Sequence, residues 1–172
     1  MSVYFSRGPK QENAGPIIQV HSERSAGVSA INYQGKKASP NNWIDITTIT
    51  VNKKSNNSIM HLSIKGDCQA NNNGNQRGAP RIRVSRDSGS GNSDDATTVI
   101  DLGVAQPSLD PAFDSVSFSH FFTDSGVSAG TSRYRLQLQC NRAVGNNNNV
   151  QINANAQASL EVIEAGDAIT SD

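Results

Sequence analysis

The stretch Met60-His61-Leu62-Ser63-Ile64-Lys65-Gly66-Asp67-Cys68 decides the fold. Its even positions are apolar or small, and its odd positions are polar. Successive side chains of an extended backbone point to opposite faces, so this sorting predicts a strand with one face on a core. The same pattern returns at Tyr134, Leu136, Leu138 and Cys140, set against Arg133, Arg135, Gln137 and Gln139. It returns again at Val116, Phe118, His120 and Phe122, against Ser117, Ser119 and Phe121. From Val150 to Val162 the even positions run unbroken through Ile152, Ala154, Ala156, Ala158 and Leu160, as one long strand or two separated by a bend.

Further strand candidates are Ile17 to Ser22, Val28 to Tyr33, Trp43 to Val51, Ile82 to Val84 and Thr97 to Leu102. Trp43 to Val51 is rich in β-branched residues, and its apolar parity changes between Ile46 and Ile49, as a bulge or a two-sided strand requires. Ile44, Ile46 and Ile49 surround Trp43 in sequence and predict that it packs in the core. No segment carries the 3.6-residue period of an amphipathic helix. Eight or nine short strands with turn residues between them predict an all-β, antiparallel β-sandwich, jelly-roll-like, with a short extended N-terminal arm. The divisions are an arm over 1–16, a sandwich over 17–165 and a C-terminal tail over 166–172. The last two strands, with Gly145 and the asparagines between them, are expected to form a hairpin.

Composition agrees. The 172 residues are 35% hydrophobic and 17% charged, with zero formal net charge, and Asn, Ser, Thr, Gln and Gly fill the difference. Disordered chains combine low hydrophobicity with high net charge, which is not this balance. Fifteen basic against fifteen acidic residues offer no surplus to displace counterions from phosphates, so no nucleic-acid partner is expected. Arg77, Arg81, Arg83 and Arg86 form a local basic group, with Arg81 and Arg83 alternating along one solvated strand face. No stretch approaches the roughly 18 apolar residues of a membrane span, and Met1 to Lys10 lacks a signal-peptide run. No membrane is expected, and folding is expected to begin in a cytoplasm. Cys68 and Cys140 fall on apolar parities, as two buried thiols or one bridge if they are neighbours.

Catalytic signals are sparse. His21, His61 and His120 are scattered without metal-ligand spacing, and nucleophile-elbow, phosphate-loop and CxxC patterns are missing from the sequence. His120, beside Phe118 and Phe122, is expected to be a hydrogen-bonded, half-buried side chain. Asp87 to Asp95 resembles a calcium loop, but Gly89 and Gly91 stand where oxygen ligands are needed, so a solvated hairpin tip is expected. Asp45 and Asp124 read as turn or edge residues, and Asn56-Asn57-Ser58 as a chance glycosylation pattern. No enzyme, metal or cofactor is expected.

Residues 1–16 show neither period. With Tyr4 and Phe5 on a glycine- and proline-containing segment, they read either as a frayed terminus or as an arm that docks on a neighbouring subunit.

Several pieces in order resemble a known family: "IIQV" (Ile17–Val20), "NWIDITTITV" (Asn42–Val51), "RIRVSRD" (Arg81–Asp87), "SFSHFFTDSGVSAGTSRYRLQLQC" (Ser117–Cys140) and "ASLEVIEA" (Ala158–Ala165). The order is similar to small β-sandwich virion structural proteins of tailed bacteriophages, of the marine or aquatic phage type. The resemblance implies a virion structural protein, a capsid decoration or cement protein or a short fibre or tail-associated subunit. It also implies a homotrimer that meets other virion proteins; the docking-arm reading of residues 1–16 makes Tyr4, Phe5 and Arg7 the residues that dock. The competing reading is a lectin-like module binding host-surface glycan. Asn71, Asn72, Asn73, Asn146 and Asn147 would then offer amides, and Trp43 or Tyr134 a stacking face.

Overall fold

A computed structural model describes residues 16–24, 43–71, 80–89, 96–104, 114–140, 149–152 and 158–166. The strands are β1 (Ile17–Arg24), β2 (Ile44–Lys53), β3 (Ile59–Asn71), β4 (Pro80–Asp87), β5 (Thr97–Val104), β6 (Asp114–Asp124), β7 (Gly130–Cys140), β8 (Asn149–Ile152) and β9 (Ser159–Ala165). One sheet has the order β1-β9-β3-β6, with β8 also paired to β3, and the other the order β2-β7-β4-β5. All pairings are antiparallel, and β4·β5, β3·β6, β2·β7 and β1·β9 nest as the rungs of one long hairpin rolled into two layers. That is the jelly-roll form of the sandwich.

Between the layers lie Met60, Leu62 and Ile64 of β3, Tyr134, Leu136 and Leu138 of β7, Ile49 and Val51 of β2, Ile82 and Val84 of β4, and Leu160 and Val162 of β9, all buried. The alternation that predicts the strands therefore also selects the core. Each such aliphatic side chain contributes about 1.5–3 kcal/mol by leaving water. The parity change in β2 is met by a bulge. Asp45 pairs with Gln137 and Thr47 with Leu136, which leaves Ile46 as the extra, inward residue. Ile44 faces inward opposite Leu138, so Trp43 falls on the outer side.

Gly66 permits the closest approach within the first sheet. A Cβ there would stand 2.7 Å from Phe118 Cζ and 2.9 Å from Ala158 Cβ. Ala158 is fully buried against it, so the small residue before β9 serves packing.

One expectation needs correction. The last strands do not form a hairpin, because β7 lies between β2 and β4 while β8 and β9 pair with β3 in the other sheet. Alternation identifies a strand but not its partner. The run from Val150 to Val162 is two strands out of register. Ile152 pairs with Cys68 and Ser159 with Lys65, so seven steps along one chain face three along the other. Cys68 and Cys140 stand in opposite sheets. The Val28 to Tyr33 strand candidate lies outside the described residues.

Candidate assembly surface

The two outer faces of the sandwich use their residues in opposite ways. On the β2-β7-β4-β5 sheet, the outward side chains of β7 and β4 are polar yet shielded. Gln137 and Ser85 are fully buried, and Arg83, Arg135 and Gln139 nearly so. Buried polar groups need partners. Arg83 Nε donates to Gln137 Oε1 at 2.7 Å, Ser85 Oγ donates to the same oxygen at 2.8 Å, and Gln137 Nε2 donates to Asp45 Oδ1 at 2.7 Å. Arg135 bridges Asp45 and Asp87, and Arg133 also donates to Asp87. Burial works against the charge of Asp87, but bonds from Arg135, Arg133 and the Gly89 N–H outweigh it and hold its carboxyl below its ordinary value.

Trp43 closes this face. It is buried, but the Arg83 guanidinium lies 4.2 Å and that of Arg81 5.4 Å from its ring, a cation–π stack rather than the core packing the sequence predicts. Arg83 is accordingly buried, not solvated as expected, and Arg81 pairs with Asp101. Asp45 and Asp124 are likewise more than turn residues. Asp124 is buried, accepts from Tyr134 Oη at 3.1 Å, and pairs with Arg86.

The β1-β9-β3-β6 sheet is different. Strand β1 is inverted: Gln19 and His21 turn inward while Ile17, Ile18 and Val20 are 66%, 42% and 52% exposed. The cause is Glu164 on the inner face of β9, which is fully buried. Its carboxylate accepts the N–H of Lys54 at 2.9 Å and that of Ser55 at 3.3 Å, the Ser58 hydroxyl, and Nε2 of Gln19. Gln19 Nε2 also lies 2.9 Å from the Asn52 carbonyl oxygen, and His21 Nε2 lies 3.1 Å from Gln19 Oε1. Burial opposes the charge on Glu164, but the Ser58, Lys54, Gln19 and Ser55 bonds prevail and lower its pKa. With Gln19 and His21 committed to the Glu164 side, alternation leaves Ile18 and Val20 facing out, and the register shift between Ile17 and Gln19 brings Ile17 to the same side.

Register carries that apolar side across the sheet. Ile17 pairs with Ala165, which pairs with Ile59, and Val20 pairs with Ile163, which pairs with His61. The His61 ring stacks on Phe121 at 5.6 Å and 15° between planes, and Phe121 is 66% exposed. A contiguous apolar strip thus crosses one end of the outer face, the signature of a contact surface.

Of the residues singled out in sequence, Tyr4, Phe5, Arg7, Asn72, Asn73, Asn146 and Asn147 lie outside the described residues, and Asn71 ends β3 with its backbone paired to Asn149. Arg77 and most of the Asp87 to Asp95 loop also lie outside them. Trp43 and Tyr134, the two proposed stacking faces, are both buried and engaged, so neither offers a ring to a sugar. His120 is exposed rather than half-buried. Alternation marks β1 as a strand but not its inversion, and no pattern in the sequence singles out Glu164. Gln19 and His21 alternating with Ile18 and Val20 signal the strand without saying which side faces in.

The geometry defines a jelly-roll sandwich with one closed polar face and one open apolar strip. The sequence matches no protein-family model and no curated protein. Among solved structures, the chain is similar to the VP2 subviral particle of infectious bursal disease virus, with TM-score 0.50 and 14% identity over 88% of this chain and 34% of that one. It is similar to the Gt strain of the same virus, with TM-score 0.54 and 12% identity over 93% of this chain and 37% of that one. It is also similar to T=1 particles derived from that virus, with TM-score 0.51 and 12% identity over 87% and 32%. The chain spans about a third of the length of these proteins. At such identities the likeness is one of fold. These structures are virus particles, and they lend no support to the tailed-phage type in particular.

Proposed function

We propose that the chain is a non-enzymatic virion structural protein, whose sandwich joins a particle by burying the apolar strip of its β1-β9-β3-β6 sheet. The observation that carries the reading is the inversion of β1. A free monomer gains nothing by keeping Ile17, Ile18 and Val20 in water, whereas a subunit of an assembly gains an interface. Likeness of fold to virus-particle proteins supports it as analogy, since one fold hosts many functions. The buried Asp87, Asp124 and Glu164 are engaged by arginines, a tyrosine hydroxyl and backbone N–H groups, which suits carboxylates that hold shape.

Quantitative proteomics of purified particles tests the reading. Copies in the hundreds per particle fit a shell or head-decoration subunit, and a few to a few dozen fit a tail or fibre part. Absence from particles would refute a virion role. In this reading the chain is a homotrimer on a tailed-phage particle, and light scattering on the purified chain tests the trimer.

A further inference from the structure

The apolar strip leaves open what covers it, and the chain itself carries a matching segment. We infer that the strip receives Phe5 from the N-terminal arm of a second copy, with Arg7 meeting Glu161. The inference rests on the virion reading and adds the occupant of its interface.

Fifteen residues precede Pro16, and their apolar side chains concentrate in Met1, Val3, Tyr4 and Phe5. The arm joins the sandwich at the strip itself, because the carbonyl of Pro16 accepts the N–H of Gly166 at 2.9 Å and Ile17 follows directly. That bond keeps Pro16 in line with the edge of the sheet, so reaching its own strip would require the chain to reverse. The ten residues 6–15 span at most roughly 33–36 Å when extended, enough to reach a neighbouring subunit.

Spacing and charge also match. Ile163 stands in the apolar row and Glu161, half-buried, one row further along β9, roughly 6.7 Å away at strand rise. Arg7 stands two residues after Phe5, the same step along an extended chain. Phe5 over the row of Val20 and Ile163 therefore brings a guanidinium to the Glu161 carboxylate. An aromatic anchor on an apolar patch with an arginine at its rim matches the residue types enriched at strong contacts.

The test uses the full chain with a benzophenone amino acid at position 5 in place of Phe5, which keeps an aromatic ring there. Irradiation is expected to give covalent dimers, with the link mapping to the peptide of Val20 or Ile163. The exposed substitution Val20→Asp is expected to lower the dimer yield at least tenfold with an unchanged β circular-dichroism spectrum. Arg7→Glu and Glu161→Arg are each expected to weaken association about tenfold, and the double variant to restore it. Links confined to one chain, or mapping to the β2-β7-β4-β5 face while association persists, overturn the inference and leave the virion reading standing. A chain that neither associates nor occurs in particles overturns both.

Discussion

The backbone N–H of Lys54 donates to Glu164 Oε1 at 2.9 Å, tying the turn between β2 and β3 to the last strand of the sandwich. Lys54 and Glu164 are 110 residues apart, and the contact joins the two sheets at one corner. Lys53 supports that corner by donating Nζ to the Val127 carbonyl at 2.6 Å.

Glu164→Ala removes an acceptor on which Lys54, Ser55, Ser58 and Gln19 converge, leaving buried donors unmet. The expected loss is about 3 kcal/mol of unfolding free energy, read from the denaturant midpoint. Glu164→Gln keeps the shape but turns one acceptor oxygen into a donor, so it is expected to recover only part of that loss.

Acid weakens the fold through the same carboxylates. Glu164 and Asp87 titrate below their ordinary values of 4.5 and 3.8 in the folded chain. Their stabilisation is fully present above the unfolded values and disappears as pH falls through the lower folded ones. Thermal melting is therefore expected to be flat near neutrality and to fall steeply below about pH 4. Glu164→Gln shallows that fall. A steeper fall in the variant would contradict the assignment.

Gly66→Ala places a methyl against Phe118 and Ala158. Overpacking at this site is expected to cost about 1–3 kcal/mol. Trimming the opposing ring in the double variant with Phe118→Leu should recover part of that cost, and a double-variant denaturation cycle checks the coupling.

Tyr134→Phe keeps the buried ring and deletes the hydroxyl that donates to Asp124. Burial, and then the neighbouring Asp124 carboxylate, push the phenol pKa well above its ordinary value, so the hydroxyl stays a donor at every working pH. The expected cost is about 1–2 kcal/mol. Alkaline difference spectra of the wild type should show this tyrosine ionising only on unfolding.

Much of the fold was legible because a period of two does not depend on context. Met60, Leu62 and Ile64 had to share a face, and Tyr134, Leu136 and Leu138 had to share another. The parity change between Ile46 and Ile49 was readable too, as a bulge or a two-sided strand, and pairing with β7 resolves it as a bulge. Partner choice was not readable: nothing within Tyr134 to Cys140 says that it pairs with β2 and β4 rather than with the strand that follows. Trp43 misled because an indole among isoleucines looks like core, yet its parity opposes Ile44, and two arginines of β4, Arg81 and Arg83, complete its packing only after folding. The inversion of β1 was hidden for a similar reason. Gln19 faces inward because Glu164 is there, and the two are 145 residues apart.

Residue-resolved labelling of the β1 edge in assembled particles against dispersed chain tests the central claim most directly. Hydroxyl-radical footprinting is expected to show Ile17, Ile18, Val20 and Phe121 protected at least fivefold on assembly, with Trp43 shielded in both states. Equal labelling of the four residues in the two states would mean that the strip is no interface, and would contradict the account.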